Sequence, residues 1–312
     1  MKKIITIGEI LVEIMATEVG DGFLEPIPLV GPFPSGAPAI FIDQVAKLGQ
    51  PCGMIACVGA DDFGRVNLDR LARDGVDTSA IVTHPELPTG SAFVRYRADG
   101  SRDFVFNIRH SAAGATGATR EAERLIEGAD HLHVMGSSLS TPAMVDLALA
   151  AADRIRGKGG TVSFDPNLRP SVLATPGTRE TMDAVLARTD LFLPSGPELF
   201  LFTSAATETE AVAELLGRGI RAIVVKDGAA GARFHAEGAL VSAPAFPVEE
   251  VDPTGAGDTF AGTFVTLWLH DSPPVEALRL ANASGALAVT RRGPMEGTST
   301  MAELDAFLGA HA

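Results

Sequence analysis

The chain alternates short apolar runs with longer helix-like segments, and this alternation restricts the fold more than any other feature. The short runs contain many β-branched residues and end at turn residues, whereas the segments between them are rich in Ala and Leu with helical spacing. Continuous apolar runs indicate strands that are buried on both faces, as in a parallel sheet covered by helices. We therefore predict an α/β fold with a mainly parallel central sheet. The runs are KIITIGEI, GMIACVG, HLHVMG, TVSFDPN, DLFLPS and AIVVKDG.

Two segments interrupt this alternation. Residues 20–35 contain several prolines and no helical period, and residues 88–109 alternate polar and apolar residues around Asp99-Gly100. Asp-Gly between alternating segments predicts a β-hairpin. A small sheet is marginally stable alone, so it must pack on the core, close over a ligand or pair with another copy. We predict a β-sheet lid formed by insertions at about 12–35 and 88–110.

Composition restricts the size, partners and location of the protein. The chain has 312 residues, 46% of them hydrophobic, and no linker-like tract divides it, so we predict a single domain over residues 1–312. Acidic residues outnumber basic ones 39 to 25, which disfavours nucleic acid and membrane surfaces as partners. Glu9 and Glu13 interrupt the first apolar run, which therefore indicates a strand rather than a signal peptide. Cys52 and Cys57 are separated by five positions and would face opposite sides of a strand, which predicts free thiols in the cytoplasm.

The sequence DPTGAGD at 252–258, followed by an apolar helix-like run, is the most informative motif. A glycine-rich turn that opens into a helix directs unpaired backbone N–H groups, and the positive end of the helix dipole, at one point. An anion should bind there, with the Asp258 carboxylate close by. This combination suits phosphoryl transfer to a hydroxyl, because the turn holds the phosphoryl charge and the carboxylate takes the proton. The alternative is an ordinary helix start with an acidic first turn.

Polar residues also follow several predicted strands, where open α/β sheets bind ligands. Asp165-Pro166-Asn167-Leu168-Arg169 follows TVSF, and its polar side chains suit metal, hydroxyl or phosphate contacts; an Asx turn is the alternative. Glu198 begins a helix and could organise water around Mg²⁺, although a helix-start acid explains it equally well. Lys226-Asp227-Gly228, with Gly231, allows close approach of a nucleotide or forms only a tight turn.

Three further segments leave alternatives open. Ser35-Gly36-Ala37 precedes a helix, where it allows close approach of a ligand or simply caps the helix. Small residues at 281–293 leave either a slot for an adenine ring or room for close helix packing. His131 and His133 share one face of a strand; a zinc pair lacks an evident third ligand, so we favour a structural or substrate-facing role.

Taken together, these motifs resemble the PfkB, or ribokinase-like, carbohydrate kinase family over essentially the whole chain. DPTGAGDTFAGTF is similar to its C-terminal signature, and SGAPAIFIDQVAKLGQPCGMIACVGADDFG is similar to its N-terminal signature. The resemblance implies a three-layer α/β core with a β-sheet lid, ATP as phosphoryl donor and Mg²⁺ as the required ion. It implies that Asp258 is the catalytic base and that Gly255, Ala256 and Gly257 form the anion hole.

The resemblance assigns further residues to the two substrates and to ions. Glu198 would act on Mg²⁺ through water, and many relatives bind a monovalent cation such as K⁺ where Asp252 and Thr254 lie. Homodimers formed through the lid are common in the family. The residues implied on the nucleotide side are Lys226, Gly228, Gly231, Gly255, Gly257 and Asn282. The residues implied on the sugar side are Glu13, Gly36, Ala37, Asn107, Arg109, Arg169 and Asp258.

Departures from the family pattern bear on the sugar. Glu13 stands where an aspartate often contacts sugar hydroxyls, and Ile40 replaces an asparagine, which argues against a ribose- or adenosine-type pocket. Ser195 replaces the asparagine of the Asn-x-x-Glu segment, whereas Glu198 is retained. Arg109 and Arg169 resemble arginines that hold the acid sugar in 2-keto-3-deoxygluconate kinases. The opening GEILVEIMATEVGDGF resembles tagatose or ketohexose kinases.

We therefore predict a kinase for a ketohexose of the fructose or tagatose type, with 2-keto-3-deoxygluconate as the alternative substrate. Lid residues expected over the sugar include Arg95 and Arg97, or Asn107 and Arg109. A nucleoside kinase and a non-catalytic sugar-binding protein are less favoured, because the anion hole and the base are both present in the sequence.

Overall fold

A computed structural model describes residues 1–168 and 177–311 of the chain. Their larger sheet has nine strands in the order β13-β12-β11-β10-β9-β8-β1-β4-β5. Its pairs are parallel except β11–β12 and β12–β13, which are antiparallel. The strands are β1 (Ile4–Ile7), β4 (Cys52–Gly59), β5 (Ile81–His84), β8 (His131–Met135), β9 (Thr161–Asp165), β10 (Leu191–Phe192), β11 (Ala222–Lys226), β12 (Ala232–Ala236) and β13 (Ala239–Ala243).

Helices cover both faces of this sheet because alternate strand residues point to opposite sides. Ile4, Met54 and Val224 pack in one core cluster with α1, α7 and α8. Their neighbours Ile5, Ile55 and Val225 pack in a second cluster with α3, α4, α5 and α6. The helices are α1 (Ala37–Lys47), α2 (Asp62–Asp74), α3 (Arg120–Gly128), α4 (Pro142–Gly157), α5 (Thr178–Leu186), α6 (Glu208–Gly217), α7 (Ala256–Leu269), α8 (Pro274–Val289) and α9 (Met301–Ala310).

A separate four-stranded sheet, which we call the lid, has the order β3-β2-β6-β7. It contains β2 (Leu11–Ala16), β3 (Leu29–Ser35), β6 (Gly90–Tyr96) and β7 (Arg102–Asn107). The predicted hairpin joins β6 to β7, and Gly100 in its turn has a φ of 80°. The predicted α/β fold, with a mainly parallel central sheet and a smaller separate sheet, is thereby confirmed.

Two other sequence-based expectations can be compared with the structure. Cys52 and Cys57 are buried free thiols, as predicted. Within the described residues, none of the helices combines the length and apolarity that a bilayer crossing needs.

Candidate active site

The loop at 252–258 runs into α7 in the predicted way. Gly255 precedes the helix with a φ of 84°, and a Cβ built on it would lie 2.5 Å from the Pro294 carbonyl oxygen. Both observations require glycine at this position. No side chain caps the helix start, so its first N–H groups remain available for a ligand. The geometry therefore supports an anion site formed by Gly255, Ala256 and Gly257.

Asp258 lies in the first turn of α7 and is partly exposed. The Asn167 side-chain amide donates a 3.3 Å hydrogen bond to its Oδ1. Burial among protein atoms raises the pKa of Asp258 to about 8, and the nearby carboxyls of Asp165 and Glu9 raise it further against the opposing effect of Lys226. A carboxyl with a pKa near neutrality is well suited to accept a proton from a hydroxyl.

Asp165 and Lys226 lie close to Asp258, and Glu198 lies close to both of them. The Lys226 ammonium forms an ion pair with Asp165, and both side chains are buried. Glu198 accepts hydrogen bonds of 2.7 Å from the backbone N–H groups of Leu168 and Ser195. Burial and the Asp165 charge raise the pKa of Glu198. The Asp165 segment, the Glu198 segment and Lys226 therefore meet at one edge of the sheet, as open α/β sheets favour.

On the lid side of the cleft, Glu13 is 3% exposed and its Oε1 lies 3.5 Å from the Thr254 hydroxyl. Burial raises the pKa of Glu13 to about 8; the Asp252 charge also raises it, whereas Arg102 lowers it. Arg102 donates a 3.2 Å hydrogen bond to the same Thr254 hydroxyl. Glu13 thus lies next to the loop that leads into the anion site.

Asp252 is 1% exposed and has three hydrogen-bond donors around its carboxylate. The Tyr96 hydroxyl donates to Oδ1 at 2.6 Å, the Thr254 N–H to Oδ1 at 3.0 Å and the Gly293 N–H to Oδ2 at 2.9 Å. This carboxylate is therefore held by the lid and by two loops. Its role as a cation ligand stays a prediction.

Gly36 and Ala37 lie at the start of α1, as expected. Gly36 has a φ of 115°, and a Cβ on it would lie 2.5 Å from the Glu9 carbonyl oxygen. Ser35 does not cap this helix. The capping interpretation of Ser35 is therefore wrong, and close backbone packing explains the glycine.

The predicted nucleotide residues lie along β11 to β13 and α8. Gly228 has a φ of 52° and open space at its Cβ position, whereas Gly231 packs against the Ala243 carbonyl oxygen. The Asn282 amide donates to the carbonyl oxygens of Ala243 and Pro244, at 3.1 and 3.0 Å. Asn282 thus has a structural role, and its nucleotide contact stays a prediction.

The other predicted sugar residues are less closely joined to this site. Asn107 and Arg109 are exposed, and within the described part of the chain neither one is joined to Glu13 or Asp258 by a hydrogen bond or an ion pair. Arg169 lies outside the described residues. Of the other lid arginines, Arg95 donates to the Gly22 carbonyl oxygen and Arg97 pairs with Asp103, so both stabilise the lid itself.

Sequence analysis did not identify Tyr96 and Arg102, which are paired across β6 and β7 and contact the 252–254 loop. It named Asn167 among the side chains suited to metal, hydroxyl or phosphate contacts. In the structure the Asn167 amide donates a hydrogen bond to Asp258, and its φ of 43° is in the left-handed region. The available signal for the first two was an aromatic residue three positions before Asp99 and a basic residue two positions after Gly100, on either side of the predicted turn.

His131 and His133 are buried and have a structural role. His131 hydrogen bonds to Thr161 at 2.8 Å and to Ser163 at 2.7 Å, and the Ser163 hydroxyl also contacts His133 at 2.7 Å. The described residues contain no group of three metal-ligating side chains. These contacts support the structural interpretation of the pair over a zinc site.

An uncapped helix start beside a carboxyl of raised pKa, next to a small sheet, is the arrangement expected of a kinase that acts on a small hydroxyl-bearing molecule. The model of the pfkB family carbohydrate kinases matches residues 1–301. The chain therefore belongs to the pfkB family, and it is a sugar phosphotransferase.

Known relatives agree with this assignment. The chain is 30% identical to fructokinase-1 of Zea mays, with 96% of each chain covered, and 31% identical to the 2-dehydro-3-deoxygluconokinase of Thermoproteus tenax, covering 99% of this chain and 95% of the relative. An E. coli protein provisionally assigned as ribokinase II has a similar structure, with a TM-score of 0.96, 47% identity and full coverage of both chains. A second structure of that protein contains ATP and Mg²⁺.

Proposed function

We propose that the enzyme transfers the γ-phosphoryl group of ATP to a hydroxyl of a neutral ketohexose of the fructose or tagatose type. One observation carries the choice of sugar: several carboxyl groups lie near the start of α7, with Glu13 and Asp252 buried next to each other and Asp258 near Glu9. Carboxyl groups hydrogen bond to hydroxyls whether they are protonated or ionised, whereas they offer a substrate carboxylate no opposite charge, and the ionised ones repel it. This arrangement favours a neutral polyol over an acid sugar.

The chain's own groups supply the chemistry of transfer. Asp258, oriented by Asn167, accepts the proton from the attacking hydroxyl. The N–H groups at Gly255, Ala256 and Gly257 stabilise the charge that develops on the phosphoryl group. Glu13 hydrogen bonds to sugar hydroxyls from the lid, and closure of the lid excludes water, which would otherwise compete with the sugar.

The site also fits the expected ions. Glu198 supplies a carboxylate that suits a hydrated Mg²⁺, which when bound would offset phosphate charge. Asp252 and the Thr254 loop would hold a monovalent cation such as K⁺. Gly228, Gly231 and Asn282 would line the adenosine side.

We also propose a homodimer that forms through the lid. Leu29, Val105 and Phe106 of the lid are 43%, 53% and 48% exposed, and β7 lies at the edge of its sheet. Apolar groups at a strand edge favour pairing with another chain. The two free thiols support a cytoplasmic location.

A second candidate substrate is 2-keto-3-deoxygluconate, and two observations favour it. The Thermoproteus tenax relative is a 2-dehydro-3-deoxygluconokinase, and Arg102 lies beside Glu13 and Thr254, where it could pair with a carboxylate. Under this alternative, Arg109 and Arg169 would complete a basic site around the acid.

The experiment is ADP release with MgATP and, in turn, fructose, tagatose, ribose, 2-keto-3-deoxygluconate and adenosine. A preference of at least tenfold in kcat/KM for a neutral ketose supports the proposal. A preference for the keto acid that is lost in Arg109→Ala and Arg102→Ala establishes the alternative. Turnover of adenosine alone would indicate a nucleoside kinase, and ATP binding without turnover of any sugar would indicate a binding protein.

A further inference from the structure

Lys226 ends β11 with its ammonium group buried below the anion site. Its side chain pairs with Asp165, which is 1% exposed and also accepts the Asn167 N–H at 3.2 Å. A buried ammonium group is costly unless it is paired, so Asp165 accounts for its stability in this position. The pairing alone does not explain why the ammonium lies at the cleft rather than in solvent.

The position of Gly257 gives the direction in which Lys226 faces. A Cβ atom built on Gly257 would lie 3.8 Å from the Lys226 Nζ. Apart from Gly257, its two chain neighbours and the nearby backbone of the same helix, the described residues place no other heavy atom within 4 Å of that Cβ position. The space in front of Gly257 is therefore open, and the lysine ammonium borders it. Gly257 belongs to the first turn of α7, where no side chain caps the free N–H groups.

The hydrogen-bonding capacity of lysine allows a second partner there. An ammonium group has three donors, and the bond to Asp165 uses one of them. A phosphoryl oxygen bound at Gly257 could therefore accept a second hydrogen bond from Lys226 while the ion pair with Asp165 persists. The carboxyls of Asp258 and Glu198 also lie close to this lysine and would otherwise repel the phosphate.

We propose that Lys226 contacts the transferring γ-phosphoryl group and stabilises its charge, and that it does not bind the adenosine part of the nucleotide. The inference rests on the proposed function and names the part of ATP that this residue recognises. A contact to the γ-phosphoryl group distinguishes ATP from ADP, whereas a contact to the base, the ribose or the inner phosphates does not.

The experiment compares the Kd values of ATP and ADP, measured by calorimetry at saturating Mg²⁺, for the wild type and two variants. Lys226→Met combined with Asp165→Asn removes the ion pair as a unit and leaves no buried unpaired charge. Asp165→Asn alone is the matched control, because it keeps the ammonium group. We expect the double variant to bind ATP at least tenfold more weakly than the wild type does, and to bind ADP with an affinity within twofold of the wild type. We expect Asp165→Asn alone to keep the wild-type ratio of the two Kd values.

Turnover gives a second readout on the same proteins. Loss of one charge-stabilising donor lowers kcat by about 10²–10³-fold. We expect such a loss for the double variant relative to Asp165→Asn. Equal weakening of ATP and ADP, or unchanged binding of both, would overturn the proposal. If the wild type binds both nucleotides but phosphorylates no sugar, the proposed function fails, and the ratio of Kd values still decides the role of Lys226.

Discussion

The Tyr96 hydroxyl, at the end of lid strand β6, donates a 2.6 Å hydrogen bond to the buried Asp252 carboxylate, at the start of the loop that becomes the anion site. Arg102, paired with Tyr96 across the hairpin, contacts Thr254 in the same loop. The lid and the anion site are therefore joined directly by side chains. Burial and this bond raise the pKa of Tyr96, so the phenol remains a donor at physiological pH.

Tyr96→Phe should lower the free energy of unfolding by about 1–3 kcal/mol, because it leaves a buried carboxylate with one donor fewer. Urea denaturation measures this, with Glu18→Ala, at an exposed position between β2 and β3 of the lid, as the control, which should stay within about 0.5 kcal/mol of the wild type. Equal stability of the wild type and Tyr96→Phe would show that the bond contributes nothing.

The pH dependence of activity should reflect Asp258. The base must be ionised to accept a proton, and its pKa is raised to about 8, so kcat/KM should rise with pH through that value. The measurement uses limiting MgATP and sugar. Asp165→Asn removes a negative neighbour and should move the midpoint to lower pH. A midpoint near the usual aspartate range, or one that Asp165→Asn leaves in place, would contradict this assignment.

Acid should destabilise the protein through its buried histidines. Burial lowers the pKa of His131 to about 3 and that of His133 well below its usual value. The unfolded chain therefore binds protons that the folded chain does not, and stability should fall as pH drops below about 6.5. His131→Asn should reduce the slope of unfolding free energy between pH 6.5 and 4.5. A slope in His131→Asn equal to that of the wild type would contradict this prediction.

The raised pKa of Glu13 predicts that stability falls as pH rises, which is opposite to the effect of the buried histidines. Its pKa is raised to about 8 in the folded state, so the folded chain keeps a proton that the unfolded chain releases above about 4.5. The contribution of Glu13 to stability is therefore fully present below about pH 4.5 and is lost as pH rises towards 8. We therefore expect the free energy of unfolding of Glu13→Gln, minus that of the wild type, to be larger at pH 8 than at pH 5. A difference that does not change with pH would refute the raised pKa.

The proposed lid dimer can be tested at the edge strand. Val105→Lys introduces a charge at an exposed apolar position of β7, and charged residues on edge strands prevent pairing. Sedimentation should show a dimer for the wild type and a monomer for Val105→Lys, with Val275→Lys, an exposed position on α8, as the control. A monomeric wild type would rule out the dimer.

Local patterns in the sequence predicted the parallel strands other than β5, most helices and the hairpin, because periodicity and turn chemistry act over a few residues. The antiparallel pair β12 and β13 was not predicted, since the runs around Phe234 and Val241 are short and weakly apolar. The anion loop was predicted because glycines and a following helix are adjacent in sequence. The partners Tyr96 and Asp252 lie 156 residues apart, and Lys226 and Asp165 lie 61 apart, so only the fold shows that they meet.

The central claim is that Asp258 is the base of a sugar kinase, and the most direct test compares turnover of the wild type and Asp258→Asn with MgATP and the preferred sugar. Asparagine keeps the size of the side chain and cannot accept the hydroxyl proton. We predict that kcat falls by about 10²–10⁴-fold while the Kd of ATP changes less than about threefold. A kcat within tenfold of the wild type would contradict the account.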